Sequence, residues 1–225
     1  MQVLSAGANV VVVARQFNPS IFSELWLTRH AIVGEEQRLP GCLFSDDVAK
    51  VEVSNFGLLV LPPQLQFVPR TTHEDEESLV VSKVGGIVKL LPETPFIALG
   101  LNFQWQVWSD TTPTKTVARR MFFKSDNPLF CHFDSDDATF GTYASRDVFG
   151  LRMKLNVTPV DVFTSKGDAQ TADDTIQRLL FAFNFHLELP KSDNLPDLIE
   201  QHLRKWNQAR DLAFEIVQDT TKHES

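Results

Sequence analysis

Three stretches of the chain alternate apolar and polar residues with a period of two. Ile97, Leu99, Leu101, Phe103, Trp105 and Val107 interleave with Ala98, Gly100, Asn102, Gln104 and Gln106. Leu151, Met153, Leu155 and Val157 interleave with Arg152, Lys154, Asn156 and Thr158. Leu179, Phe181, Phe183, Phe185, Leu187 and Leu189 interleave with Leu180, Ala182, Asn184, His186 and Glu188. Neighbouring side chains on a strand point to opposite faces, so each stretch predicts a strand of an antiparallel sheet with one dry face. Val10–Val13 lacks alternation and reads as a central strand buried on both sides. Shorter strands are expected near 48–54, 57–61 and 64–68, and again near 138–146 and 148–158.

Helical spacing appears between these stretches. Asn18-Pro19-Ser20 reads as a cap before a helix over Ile21–Ile32, and Thr114 as the start of a shorter one through about Phe123. Leu195, Ile199, Trp206, Ala209, Ala213 and Ile216 form an inner stripe, widened by Leu203, Leu212 and Val217, that predicts one long helix over 195–218. A further helix is expected over 76–91, weakened by Gly85-Gly86 and ended by Pro92. The acidic run Glu74-Asp75-Glu76-Glu77 suits the start of that helix, where backbone N–H groups favour negative charge. Thr164–Asp174 reads as a polar loop.

Short matches suggest an internal repeat. Cys42-Leu43-Phe44-Ser45-Asp46-Asp47 resembles Cys131-His132-Phe133-Asp134-Ser135-Asp136-Asp137, and Leu65–Pro69 resembles Leu155–Pro159, both at an offset of about 90. Gly100-Leu101-Asn102-Phe103 resembles Ala182-Phe183-Asn184-Phe185, with a fainter copy at Gly7-Ala8-Asn9-Val10. The expected fold is therefore α+β. It has a mainly antiparallel curved sheet with helices packed on one face, in two pseudo-repeats of strand–helix–strands plus a long C-terminal helix. Residues 1–95 would form the first repeat, with the helix near 76–91 inserted, and 96–225 the second, packed as one globular unit. That topology loosely resembles clamp-like proteins built from strand–helix–strands repeats, a likeness of fold that carries no functional residue.

Composition narrows the function classes. Eighteen Phe against one Tyr supply rings that fill an interior without needing hydrogen-bond partners. A formal charge of −8 disfavours broad phosphate-backbone binding. Two cysteines do not make a disulfide framework, no apolar run approaches ~20 residues, and the start lacks a basic leader. The expectation is a cytoplasmic protein with no cofactor.

Four groupings could carry chemistry. His132, Asp134 and Asp136 have side chains suited to zinc, manganese or iron, although paired aspartates also form turns. Cys131 and His132 are adjacent, so on a strand they would point apart, and both cysteines read as small buried apolar side chains. Arg119, Arg120 and Lys124, with Arg152 and Lys154, are the residues a nucleic-acid site would use. Trp108, on the polar parity, is a possible contact residue. The most extended grouping is the polar strand face: Asn102, Gln104, Gln106, Arg152, Lys154, Asn156, Asn184, His186 and Glu188 converge if the three strands are neighbours.

Phosphate loops, nucleophile elbows and zinc-protease motifs are absent from the sequence. The leading expectation is a non-enzymatic binding or assembly protein acting through that polar face or an edge strand, on itself or on another protein. The alternatives are a small metal-dependent or acid–base enzyme, the latter using His186 with Glu188, and a weak nucleic-acid binder.

Overall fold

The alternating stretches pair side by side. In the computed structural model, which describes residues 1–34, 41–124, 127–133, 135, 137–163, 175–191 and 194–222, nine strands form one open antiparallel sheet. They are β1 (Gln2–Ala14), β2 (Leu43–Phe44), β3 (Ala49–Glu52), β4 (Phe56–Leu61), β5 (Gln64–Pro69), β6 (Phe96–Trp108), β7 (Thr142–Val148), β8 (Leu151–Phe163) and β9 (Thr175–Glu188). Their order is β2-β3-β4-β5-β1-β6-β9-β8-β7. The sheet therefore crosses the boundary expected near residue 95 without a break. The loop expected over 164–174 lies outside the described residues.

Apolar members of the alternating sets share one face, except Ile97, which a register shift at the start of β6 leaves exposed while Phe96 is buried. Val10, Val12, Leu65, Phe67, Leu101, Phe103, Phe181 and Phe185 are fully buried there. Each such side chain removed from water contributes about 2 kcal/mol. The covering helices are α1 (Glu24–Arg29), α2 (His73–Val80), α3 (Gly86–Leu90), α4 (Thr114–Phe122), α5 (Leu195–Leu203) and α6 (Trp206–Lys222). Trp206 of α6 meets Phe103 edge-on at 4.7 Å, and Phe122 of α4 lies 6.2 Å from Phe181. No helix among the described residues is long and apolar enough to cross a membrane.

Several boundaries differ from the sequence expectation. The helix expected over 21–32 is a short 3-10 turn, Pro19–Ile21, followed by α1, whose N-cap is Ser23 and not the Asn18 region. The long C-terminal helix breaks at Arg204-Lys205, where the Lys205 ammonium donates to the Phe149 carbonyl at 2.6 Å. Gly85-Gly86 does not end the helix over 73–90. It sits where one wide turn, Val81–Gly85, joins α2 to α3, and packing of Val84, Ile87 and Val88 in the core overrides glycine's weak helix preference.

The repeat inferred from the offset of 90 is not confirmed. Cys42 is half-buried ahead of β2, its Sγ accepting the Glu52 N–H at 3.3 Å. Cys131 is exposed on a 3-10 turn, so the expectation of two equivalent buried thiols is overturned. Leu65–Pro69 lies in β5, beside β1, whereas Leu155–Pro159 lies in β8, which β9 separates from β6. The matches are local likenesses of turns and amphipathic strands. The strand order nevertheless reads the same outward from β1 and from β6: β5, β4, β3 on one side and β9, β8, β7 on the other. The helix over 73–90 follows β5 as α5 and α6 follow β9, so it is not an insertion in that order.

The acidic run fastens the helices to one another. Thr72 Oγ1 donates to Asp75 at 2.7 Å within the first turn of α2. Buried Glu76 accepts the Trp206 indole N–H at 2.9 Å and pairs with Arg210. Glu77 accepts the Asn207 N–H at 3.1 Å, capping the start of α6 from another helix. Glu76→Ala leaves the largely buried Arg210 charge and the Trp206 N–H without their acceptor. It should cost about 2 kcal/mol or more by urea denaturation, whereas exposed Glu74→Ala should stay within about 0.5 kcal/mol.

Histidine burial adds a pH dependence. His202 is buried, and its Nδ1 meets the Leu198 carbonyl at 2.8 Å. Burial pushes its pKa below the ordinary value, the bond to Leu198 opposes that, and Lys205 reinforces it. The unfolded chain then binds more protons than the folded one just below the ordinary histidine value of about 6.5, so stability falls as pH drops through that range. Carboxylates held low by cations, Glu52 by Arg70 and Glu200 by Lys89 and Arg204, act only further down, near about pH 4. The urea midpoint should therefore fall between about pH 7 and 5.5; half-buried His186, lowered in the same way, adds to that fall, and His202→Gln should reduce it.

Candidate binding face

The opposite face of the sheet carries the polar members of each alternating set. β6, β9 and β8 are neighbours, and their registers place Asn102 opposite Asn184 and Asn184 opposite Lys154. Gly100, His186 and Arg152 form the next row, and Gln104, Ala182 and Asn156 the row on the other side. The residues expected to converge do so. Glu188 stands opposite Ala98, at the end of the set.

A directed chain of amides runs through the centre. Asn184 Nδ2 donates to Asn102 Oδ1 at 2.7 Å, and Asn102 Nδ2 donates to Asn9 Oδ1 at 2.8 Å. Asn9 faces Asn102 across the β1–β6 pairing, so the ladder spans three strands. The sequence reading left Asn9 out of the site, yet its signal was present in the faint Gly-Ala-Asn-Val likeness. Those three short matches mark side chains that touch. Gly100 gives the ladder room: a Cβ there would lie 3.1 Å from Asn184 Nδ2.

The rest of the face is tied more loosely. Arg152 donates to Ser145 at 2.8 Å and Asp147 at 3.2 Å, both on β7. Arg178, absent from the sequence reading, donates to Gln106 at 2.8 Å and lays its guanidinium 3.9 Å from the Trp108 ring centroid. Trp108 Nε1 donates to Asp110 at 3.2 Å, so that side chain is already engaged. His186 is half-buried, and its pKa is lowered, first by that burial and then by Lys154, with Glu188 opposing. At neutral pH the face thus presents amides, an uncharged imidazole, the three cations Arg152, Lys154 and Arg178, and Glu188 at its end.

Other candidates separate. His132 is exposed on the 3-10 turn Pro128–His132, while Asp134 and Asp136 lie outside the described residues. Among the described residues no three His, Cys, Asp or Glu side chains form a metal-binding group. Ser45-Asp46-Asp47 makes the turn from β2 to β3, with the Val48 N–H bonded to Ser45 Oγ at 3.2 Å. Asp46 and Asp47 edge an open cleft of about 560 Å³ with Phe17, Pro19, Pro62 and Pro95, where Asp46 accepts the Ser20 hydroxyl at 2.7 Å. Arg119, Arg120 and Lys124 belong to α4 and its end, on the covered side of the sheet, whereas Arg152 and Lys154 project from the open side. The five cations expected of a nucleic-acid site therefore do not share one groove.

No protein-family model, curated protein or solved structure matches this chain.

The ladder makes a quantitative prediction. Asn102→Ala removes two amide hydrogen bonds and Asn184→Ala one of the same two. Each single change should cost about 1 kcal/mol, and the double change should cost less than the sum by about 0.5 kcal/mol or more. Urea denaturation of the four proteins measures this coupling, and strict additivity would show that the amides act independently.

Proposed function

We propose that this chain is a non-enzymatic binding or assembly protein that engages a protein partner through the open face of its sheet. The observation that carries this reading is the Asn9–Asn102–Asn184 ladder with Lys154, Arg152 and His186 around it, on a face no described helix covers. Three amides aligned across three strands hold fixed donors and acceptors in an extended array. Such an array suits a polar surface better than a small molecule, which needs a concave site. Lys154 and Arg152 at one side favour a partner that brings carboxylates or carbonyl groups.

Catalysis is poorly served by the same geometry. His186 and Glu188 share the face, but nucleophilic chemistry also needs a hydroxyl or thiol beside its base and donors for a developing oxyanion. The nearest hydroxyl in register, Ser145 opposite Lys154, already accepts from Arg152.

The test is assembly size in the cells that make the protein. A tagged wild-type chain should elute from native gel filtration in a complex well above its own 25.4 kDa. The triple change Arg152→Glu, Lys154→Glu and Asn184→Ala should release it as the free chain with an unchanged circular dichroism spectrum. A variant that stays in the complex, or a wild-type chain that elutes free, would overturn the reading.

A further inference from the structure

β1 is central for only part of its length. Val10–Val13 pair with β5 on one side and β6 on the other. Gln2–Ala8 pair with β6, and among the described residues no strand lies along their other edge, because β5 ends at Pro69 and the chain turns into α2. Gln2 and Leu4–Gly7 are exposed.

Bare strand edges invite pairing, and proteins blunt them with short strands, charges or proline. The two outer edges of this sheet follow that rule: β2 has only two residues, and β7 carries Arg146 and Asp147. Gln2–Ala8 contains no charge and no proline. Its one irregularity is a bulge at Ala6, with Gly7 at φ +144°, a conformation L side chains rarely adopt. The bulge re-aims the strand and does not close the edge. It places Ser5 opposite Trp105, on the covered face, while Gly7 stands opposite Gln104 on the open one.

Beside this edge lies a cleft of about 300 Å³ lined by Val3, Ser5, Trp105, Arg210, Asp211 and Phe214. Phe214 is 38% exposed and stacks on Trp105 with ring centroids 5.8 Å apart. The charges in the cleft are ordered. Arg210 is committed to Glu76, and His73 contacts Arg210 through Nδ1 at 3.2 Å and Asp211 through Nε2 at 2.9 Å. Both imidazole nitrogens are therefore used, so Ser5, His73 and Asp211 do not compose a nucleophilic triad. Asp211, with its side chain 66% exposed, is the charge left facing solvent.

We propose that the Gln2–Ala8 edge takes up an extended peptide segment of a partner protein as an added strand. The segment's alternate side chains enter the Trp105–Phe214 cleft. The occupant presents one large apolar residue to that cleft and a basic residue two positions away, opposite Asp211. A second copy of the chain fits less well: its own Val3 and Ser5 are too small to fill the cleft, and it brings a like charge of −8. This deepens the binding reading but uses a surface distinct from the open face.

Random linear twelve-residue peptides displayed on phage and selected on the full chain test the idea. Enriched sequences should share an aromatic or large aliphatic residue with a lysine or arginine two positions away. A fluorescent synthetic version should bind at least ten-fold more weakly to Phe214→Ala, with the variant's fold confirmed by its melting curve. Bound peptide should slow amide exchange over residues 2–8 at least ten-fold and leave the β7 edge unchanged. The Arg152→Glu, Lys154→Glu, Asn184→Ala protein should bind it normally, which separates failure here from failure of the open-face reading. No enrichment, equal affinity for Phe214→Ala, or protection elsewhere would overturn the proposal. So would a wild-type dimer whose residues 2–8 are protected without peptide.

Discussion

The pairing of β1 with β6 is the constraint on which the rest of the molecule depends. It joins residues near the start of the chain to residues 82 to 106 positions later, from Ala14 opposite Phe96 to Gln2 opposite Trp108. Closing so long a loop is entropically costly, and the seam repays it with a ladder of backbone bonds and a row of buried side chains on one face. Because side chains alternate strictly along a strand, a slip of one residue here would turn Phe103 and Trp105 to water and Asn102 and Gln104 into the core. The register of this one pair thus decides which face of the whole sheet is dry. The Ala6 bulge is absorbed within it without moving Val10 and Val12 out of the core.

From that seam two unlike surfaces follow. The dry face is closed by helices that are themselves fastened by charge: Glu76 and Glu77 reach from α2 to the first turn of α6 and hold Trp206 against Phe103. A carboxylate buried in that way is tolerated because two donors meet it; alone it would be strongly destabilising. Among the described residues no helix covers the open face, and its polar groups satisfy each other sideways along the sheet. Asn9, Asn102 and Asn184 each sit on a different strand, so their ladder exists only if β1, β6 and β9 are in register. The amides therefore report the same constraint as the core, from the opposite side.

Strands were more legible in the sequence than helices, for a physical reason. A period of two over ten residues, as in Phe96–Trp108, has few competing explanations, and the neighbours β6, β9 and β8 came out with the polar face intact. Helix ends depend on contacts that no local pattern announces. The break after Leu203 lies where Lys205 grips the Phe149 carbonyl, and Phe149 itself takes φ +56° in a two-residue hairpin with Gly150, a turn normally built from Asn or Gly. The matched cysteines misled because Pro, Ser and Asp recur wherever a chain turns, so likeness there reports turn chemistry and little else. The weaker Asn-Phe likeness proved the informative one, since it marked three side chains that meet.

The two proposed contact surfaces differ in what they have left to offer. On the open face, lateral bonds fix the amides in one orientation, and their remaining capacity faces outward; this is pre-organisation, which lowers the ordering cost of binding. Along Gln2–Ala8 the offer is made by the backbone. Every second residue there turns an N–H and a C=O away from β6, and among the described residues no strand pairs with that side. An added strand would satisfy these groups whatever its sequence, so affinity would come from the edge and selectivity from the Phe214 cleft beside it. Side-chain changes on the strand should then matter less than changes at the cleft, the opposite of what a face-to-face contact through Asn102 and Lys154 would show. That difference in sensitivity follows from geometry alone and distinguishes the two surfaces even if one partner uses both.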